Sequence, residues 1–462
     1  MENEILILGA GPTGLGAAHR LAELGHTDWN IVERSTQVGG LAATVIDEQG
    51  FRWDRGGHVM FSHYAYFDKL VETMLNGDYD QHVREAWVRV LDRFVPYPFQ
   101  NNIHRLPPDT FLDCLLGIID AQRRTLPRRN FAEYIAAVFG EGIDAHFMGP
   151  YNAKVWAHPL ETMGTSWLGE RVPTVDVRRI LEHHLTDRDD VTWGPNDTFR
   201  FPLLGTGMLY ERIAAALPKP VHFERTVVSI DIRSRTVAFA DGTTASYEDL
   251  VTTIPLTELV RSIPDAPTEV VAALDGLHHT SGIFVGIGVD EPTQSQRCWV
   301  YFPEPEIPFY RVTYLSNYSS AMTPSLGQFS LLAEVSVSPH RPDPGDIVDL
   351  TIDGMVRAGL LTPEQAATKI VSRHVDRVTY SYPVPSLDRD RALATIQPWL
   401  MQNRIHSRGR FGAWRYEIGN TDHAVMMGVE LADHLVDGLP ETTWSLVPSG
   451  DAEPAAPEGL ST

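Results

Sequence analysis

Two cysteines in 462 residues, Cys114 and Cys298, lie far apart and in no CxxC spacing. That excludes a disulfide framework and a cysteine-based zinc site, and leaves two thiols suited to a reducing compartment. Lysine is almost as scarce, with only Lys69, Lys154, Lys219 and Lys369, so the basic residues are nearly all arginine. Positive charge as a whole is short: 38 basic against 60 acidic residues give a formal net charge of -22. A phosphate-backbone binder needs a basic face and is excluded. An anionic ligand would have to be held by a few local arginines and backbone N–H groups. No run approaches 18 uninterrupted apolar residues, so no membrane-spanning helix is expected. The N-terminal MENEILILGAGP carries two acids before a short apolar stretch, so no export signal is expected and the location reads as cytoplasmic.

What is present begins at Glu4–Leu8 (EILIL), apolar at nearly every position, as in a buried parallel strand. It runs into Gly9-Ala10-Gly11-Pro12-Thr13-Gly14, followed by the helical pattern LGAAHRLAELG. This is GxGxxG between a strand and a helix. Gly9 permits the tight turn, Gly11 admits a pyrophosphate, and Gly14 lets helix and strand approach. The helix N-terminus supplies N–H donors and partial positive charge. Alone the motif is weak, since glycine turns are common. About 20 residues on, a second strand ends in Glu33-Arg34, where an acid would meet ribose hydroxyls. The pair together favours a dinucleotide site over a structural turn. A second glycine pair, Gly39-Gly40, follows at once. It resembles the extended FAD signature of glutathione-reductase-like flavoproteins, in the branch that includes the amine oxidases.

Further along, Phe111–Ile119 and Phe131–Phe139 repeat apolar residues at three and four, with Asn130 as a candidate N-cap. From Val221 to Thr253 the pattern changes to short strands (VHFER, TVVSIDI, TVAFADGTTASY), turning at Asp241-Gly242. Strands are expected at Thr280–Val289, Cys298–Phe302, Phe309–Leu315 and Phe329–Val337, a return to the first domain at Thr395–Trp399, and a capped helix over Asn420–Leu435. The fold class predicted is α/β: a discontinuous Rossmann-like FAD-binding domain with a helical insertion and an antiparallel β-sheet substrate domain. The expected units are 1–84, 200–265 and 395–440 for FAD, 104–195 for the helices with mobile loops, and 85–103 with 266–394 for the sheet. A Pro- and Ala-rich tail over 444–462 is expected to be disordered.

Several segments outside the nucleotide motif resemble one family, the UDP-galactopyranose mutases in their eukaryotic-type branch. They are GGHVMFSHYAYFD (56–68), VPYPFQNNI (95–103), GPYNAKVWAHP (149–159), WLGERV (167–172), GPNDTFRFP (194–202), CWVYFPEPEIPFYR (298–311), SNY (316–318) and GRFGAWRYEIGNTDH (409–423). The likeness covers almost the whole chain in one order. The Arg-rich, Lys-poor composition meanwhile suggests a bacterial source. The resemblance implies an isomerase that interconverts pyranose and furanose forms of a UDP-hexose, galactose or a modified relative. It implies FAD, active when reduced, with flavin N5 as nucleophile at the anomeric carbon and a reductant such as NADPH as partner.

By the same resemblance, Arg171, Arg311, Tyr382 and Tyr416 contact the diphosphate, which suits bidentate guanidinium recognition. Tyr97, Phe99, Gln100, Asn152 and Trp156 match uridine positions; without the family they read as turn and core residues. Asn196, Trp299, Tyr301, Tyr318 and Asn420 match positions near sugar or phosphates. Phe61 and His58 match the flavin face, where Gly57 gives the loop freedom, and Arg410 and Met426 are expected near the flavin. No metal site is expected. The segment FPLLGTGMLY is one glycine shorter than the family's usual run, and the oligomeric state stays open. The competing chemistry is an FAD-dependent oxidase or desaturase of the amine-oxidase branch.

Overall fold

The computed structural model describes residues 3–169, 172, 175–189 and 197–445. Arg171, Asn196 and the tail from 446 onward lie outside the described residues.

Strand Ile5–Leu8 is buried at all four positions because it is central in its sheet. It pairs in parallel with Trp29–Val32 on one side and Asp249–Thr252 on the other, and Ile405–Ser407 adds in parallel at the edge. Parallel strands need crossover connections. Here two of them are long excursions, so the Rossmann-like domain is discontinuous, assembled from residues near 5, 30, 250 and 405.

The excursions build the rest. A seven-stranded sheet runs Ile370–Val384, His278–Val289, Phe329–Val337, Arg311–Tyr314, Trp299–Tyr301, Ala86–Val90, Arg93–Pro96. It is antiparallel except at one seam, where Trp299–Tyr301 lies parallel to Ala86–Val90. The two seam strands come from separate passages of the chain, so no hairpin dictates their direction. The helices Pro108–Arg123 and Phe131–Ile143 pack together beside this sheet, and Asn130 Oδ1 caps the second by accepting the Glu133 N–H at 2.9 Å.

Two local expectations change. Residues 221–225 form no strand, only a bridge of His222 to Val32. Trp444 belongs to a short helix, Thr442–Ser445, with the Arg408 guanidinium 4.0 Å above its ring. Residues 395–399 sit inside a helix, Arg389–Gln402, whose Ala392, Leu393, Ile396 and Leu400 are buried at three- and four-residue spacing. Among the described residues no helix is long and apolar enough to cross a membrane. Both cysteines are free and buried.

Candidate functional site

The first turn after Ile5–Leu8 shows why its glycines are there. A Cβ on Gly14 would stand 1.8 Å from the Gly9 carbonyl oxygen, and Gly9 itself has φ +104°. Neither position accepts a side chain. The helix Pro12–Glu23 begins at Gly11 with no side-chain cap, so its first N–H groups face the groove beside it. Glu33, buried at the end of the second strand, accepts from Ala10 N–H (2.8 Å) and Ser35 N–H (2.9 Å). Gly39, at φ +98°, donates to Ala10 O and starts the turn Gly40–Ala42.

Gly9, Gly11, Glu33, Arg34, Gly40, His58 and Arg410 line a groove of about 520 Å³. Uncapped N–H donors, a carboxylate at the strand end and glycines that clear the backbone fit an adenine dinucleotide. Gly14 and Gly39 stay behind the groove wall, and Met426 is 8% exposed in the core of this domain. FAD would be held by these residues.

A second cavity, about 830 Å³, adjoins the groove; Leu41, Arg55, His58, Arg410, Gly419 and Thr421 line both. Around it stand Arg311, Tyr382, Tyr416, Phe61, Tyr97, Trp299, Tyr301, Gly57 and Asn420. Five other sequence candidates do not line it. Phe99 (0% exposed) and Gln100 (1%) lie in the core, and Asn152 Nδ2 donates to Met148 O. Trp156 stands one layer back, its ring edge-on to Tyr416 at 4.9 Å. Tyr318 is enclosed by Phe199 and Phe201, at 5.2 and 4.9 Å.

Glu334 organises the floor. It is 1% exposed and accepts from Arg311 Nε (2.6 Å) and Nη2 (2.9 Å), Tyr310 Oη (2.8 Å) and the Gly57 N–H (3.1 Å). Burial opposes its ionisation, but the Arg311 charge and these donors outweigh burial and hold its carboxyl below the ordinary range. Arg311 is thereby aimed by a bidentate pair. Tyr382 Oη lies 3.5 Å from Tyr310 Oη, and its ring sits 5.6 Å from Tyr416. Arg410 donates from Nε (3.0 Å) and Nη2 (2.7 Å) to Gly419 O, which ties its guanidinium between groove and cavity. His58 Nε2 lies 3.2 Å from Arg55 O; burial, with the Arg410 charge, pushes its pKa down to about 4. The imidazole is therefore neutral at physiological pH.

Three lining groups escaped the sequence reading. Arg84, 7% exposed, pairs with Asp197 at 2.9 Å and carries no local signal in VRE. Glu334 had one: a lone acid in the apolar strand FSLLAEVSV must find a partner to be buried. His63 and His423, both lining the cavity, flank Asp422. They are 360 residues apart in sequence, so only the fold unites them.

A family model for flavin containing amine oxidoreductases matches residues 12–435. Among solved structures, the chain is similar to a reduced UDP-galactopyranose mutase, with 43% identity and a TM-score of 0.93 over 96% of each chain. It shares the fold alone with putrescine oxidase, at 17% identity and TM-score 0.62 over 94% of this chain and 99% of that one. The 4,4'-diapophytoene desaturase of Staphylococcus aureus is 34% identical over 88 residues, which spans 19% of this chain and 17% of that enzyme.

Proposed function

The chain belongs to the flavin containing amine oxidoreductases and, within them, to the UDP-galactopyranose mutases, and from that premise we propose that it interconverts the pyranose and furanose forms of a UDP-hexose. The hexose is galactose or a modified relative. The observation that carries this reading is the lining of the larger cavity. Arg84, Arg311 and Arg410 share it with the phenols of Tyr97, Tyr301, Tyr382 and Tyr416, beside the dinucleotide groove. A site that oxidises an amine or a hydrocarbon has no use for guanidiniums converging on an anion. A sugar diphosphate leaving and returning requires them.

Bound reduced FAD supplies an electron-rich centre able to attack an anomeric carbon. The chain's own part is to hold the diphosphate. Arg311, aimed by Glu334, presents its guanidinium to one phosphate, and Tyr382 and Tyr416 donate phenolic O–H groups to the oxygens. Arg171 completes the grip in this proposal, with Asn196 beside the sugar. Tyr97, Phe61, Trp299, Tyr301 and Asn420 position uridine and sugar, with Phe99, Gln100, Asn152, Trp156 and Tyr318 supporting them from behind. Neutral His58 offers a hydrogen bond without adding charge. The aromatic wall of Trp156, Trp167, Tyr382 and Tyr416, with rings 4.9–6.2 Å apart, limits water at the reacting carbon. The electrons come from NAD(P)H or an equivalent reductant, and free buried thiols accord with action in the cytoplasm.

The test is incubation of dithionite-reduced protein with UDP-galactofuranose, with the product ring size read by NMR. Formation of UDP-galactopyranose is expected. Unchanged substrate at stoichiometric enzyme, or amine-dependent peroxide release in air without reductant, would overturn the proposal.

A further inference from the structure

Beside the larger cavity, Asp422 sits in the first turn of the helix Thr421–Asp437 with its side chain 1% exposed. Its two oxygens serve two imidazoles. Oδ2 faces His63 Nδ1 at 2.8 Å, and Oδ1 faces His423 Nδ1 at 3.1 Å. The imidazole centroids are 5.2 Å apart, and the Tyr64 ring stands edge-on to His423 at 5.6 Å. One donor atom from each of the three residues lies within 4.8 Å of the others. Among the described residues no other group of three His, Cys, Asp or Glu meets that condition.

We propose that His63, Asp422 and His423 bind one borderline divalent cation of the zinc class. Two imidazoles and one carboxylate are a ligand set for such ions, and catalytic zinc sites keep a further position open. A tetrahedral ion with bonds of about 2.0–2.1 Å holds its ligand atoms about 3.3 Å from one another. The separations of 2.8 and 3.1 Å run to the two different oxygens of Asp422, and one ligand atom from each residue lies within 4.8 Å of the others, so binding draws the three together around one oxygen. The cation displaces the hydrogen-bonding protons: each neutral imidazole moves its N–H to Nε2, and an imidazolium releases one proton. His63 and His423 line the cavity, which gives the ion an entry path and its open position.

The test uses the FAD-loaded protein freed of metals by chelator and titrated with Zn²⁺ in a calorimeter. One equivalent is expected to bind, with affinity lower by at least ~10-fold in His63→Ala and in His423→Ala. The visible flavin absorbance of each variant checks that it has folded. His278→Ala serves as the control, because His278, His158 and His340 form a separate imidazole cluster with centroids 5.0 and 5.9 Å apart. With Cu²⁺ as probe, the EPR spectrum is expected to show coupling to two nitrogens in the parent and to one in His63→Ala. No binding in the parent, wild-type affinity in both variants, or loss in His278→Ala would overturn the site. This outcome is independent of turnover, so it does not depend on the mutase reading.

Discussion

Replacing Arg311 by Ala should injure the protein twice, and the two injuries can be separated. Glu334 is buried to 1% and holds Arg311 through two hydrogen bonds of 2.6 and 2.9 Å. Removing the guanidinium leaves a buried carboxylate with only Tyr310 Oη and the Gly57 N–H, and breaking a buried pair in this way costs about 3–5 kcal/mol. Loss of a preorganised donor to the departing diphosphate should also lower kcat by about 10²–10³. Adding Glu334→Gln removes the stranded charge while keeping its shape. The double variant should recover most of the stability and none of the turnover. The pH dependence has a definite sign. The Glu334 carboxyl is held below its ordinary value, so the pair stabilises the protein above that value, and its contribution fades as the pH falls. The deficit of Arg311→Ala is therefore largest near neutrality and shrinks in acid. The assays are urea unfolding of the FAD-loaded protein at pH 7.5 and 4.5, and turnover of UDP-galactofuranose under dithionite. Equal unfolding midpoints for Arg311→Ala and the parent at pH 7.5 would refute the buried pair. Turnover restored in the double variant would refute the direct role of Arg311.

Gly14→Ala places a Cβ 1.8 Å from the Gly9 carbonyl oxygen, so the protein should be purified with little FAD; a normal ratio of flavin to protein absorbance would contradict this. Asp54, buried against Thr44 and Thr206, has its carboxyl pushed up by burial to about 6 from 3.8. Its neutral form favours the fold, so that contribution is complete below pH 3.8 and is lost as the pH rises to 6. Between pH 4 and 7 the parent should therefore lose about 2 kcal/mol relative to Asp54→Asn, and parallel stability curves would rule it out. His58 should titrate near pH 4 rather than 6.5 because it is desolvated beside Arg410; an NMR midpoint above 6 would disprove that environment.

Local rules carried a definite part of this molecule. The strand Ile5–Leu8, the glycine turn, the following helix and Glu33 were legible because each is dictated by neighbours within about 30 residues. The same holds for Asn130 as a cap and for the buried strand Phe329–Val337. A resemblance spread over eight segments supplied Arg311, Tyr382, Tyr416, Tyr97 and Tyr301, which the fold gathers around one cavity. Helix and strand periodicity alone singles out none of them.

Tertiary structure decided which of those residues face open space and which charges meet. Phe99 and Tyr318 read the same as Tyr97 and Tyr301 in sequence, yet the first pair is in the core and the second lines the cavity. The direction of an aromatic side chain depends on which sheet face the completed fold covers. Residues 395–399 are helical within Arg389–Gln402, because burying Leu393, Ile396 and Leu400 on one face satisfies the neighbouring core. The Arg311–Glu334 pair joins two adjacent strands, and the His63–Asp422–His423 cluster joins a loop to a helix some 360 residues later. A residue type and a short spacing are properties of the chain. Contact between distant charges exists only once loop closure and burial have brought them out of water and made each require the other.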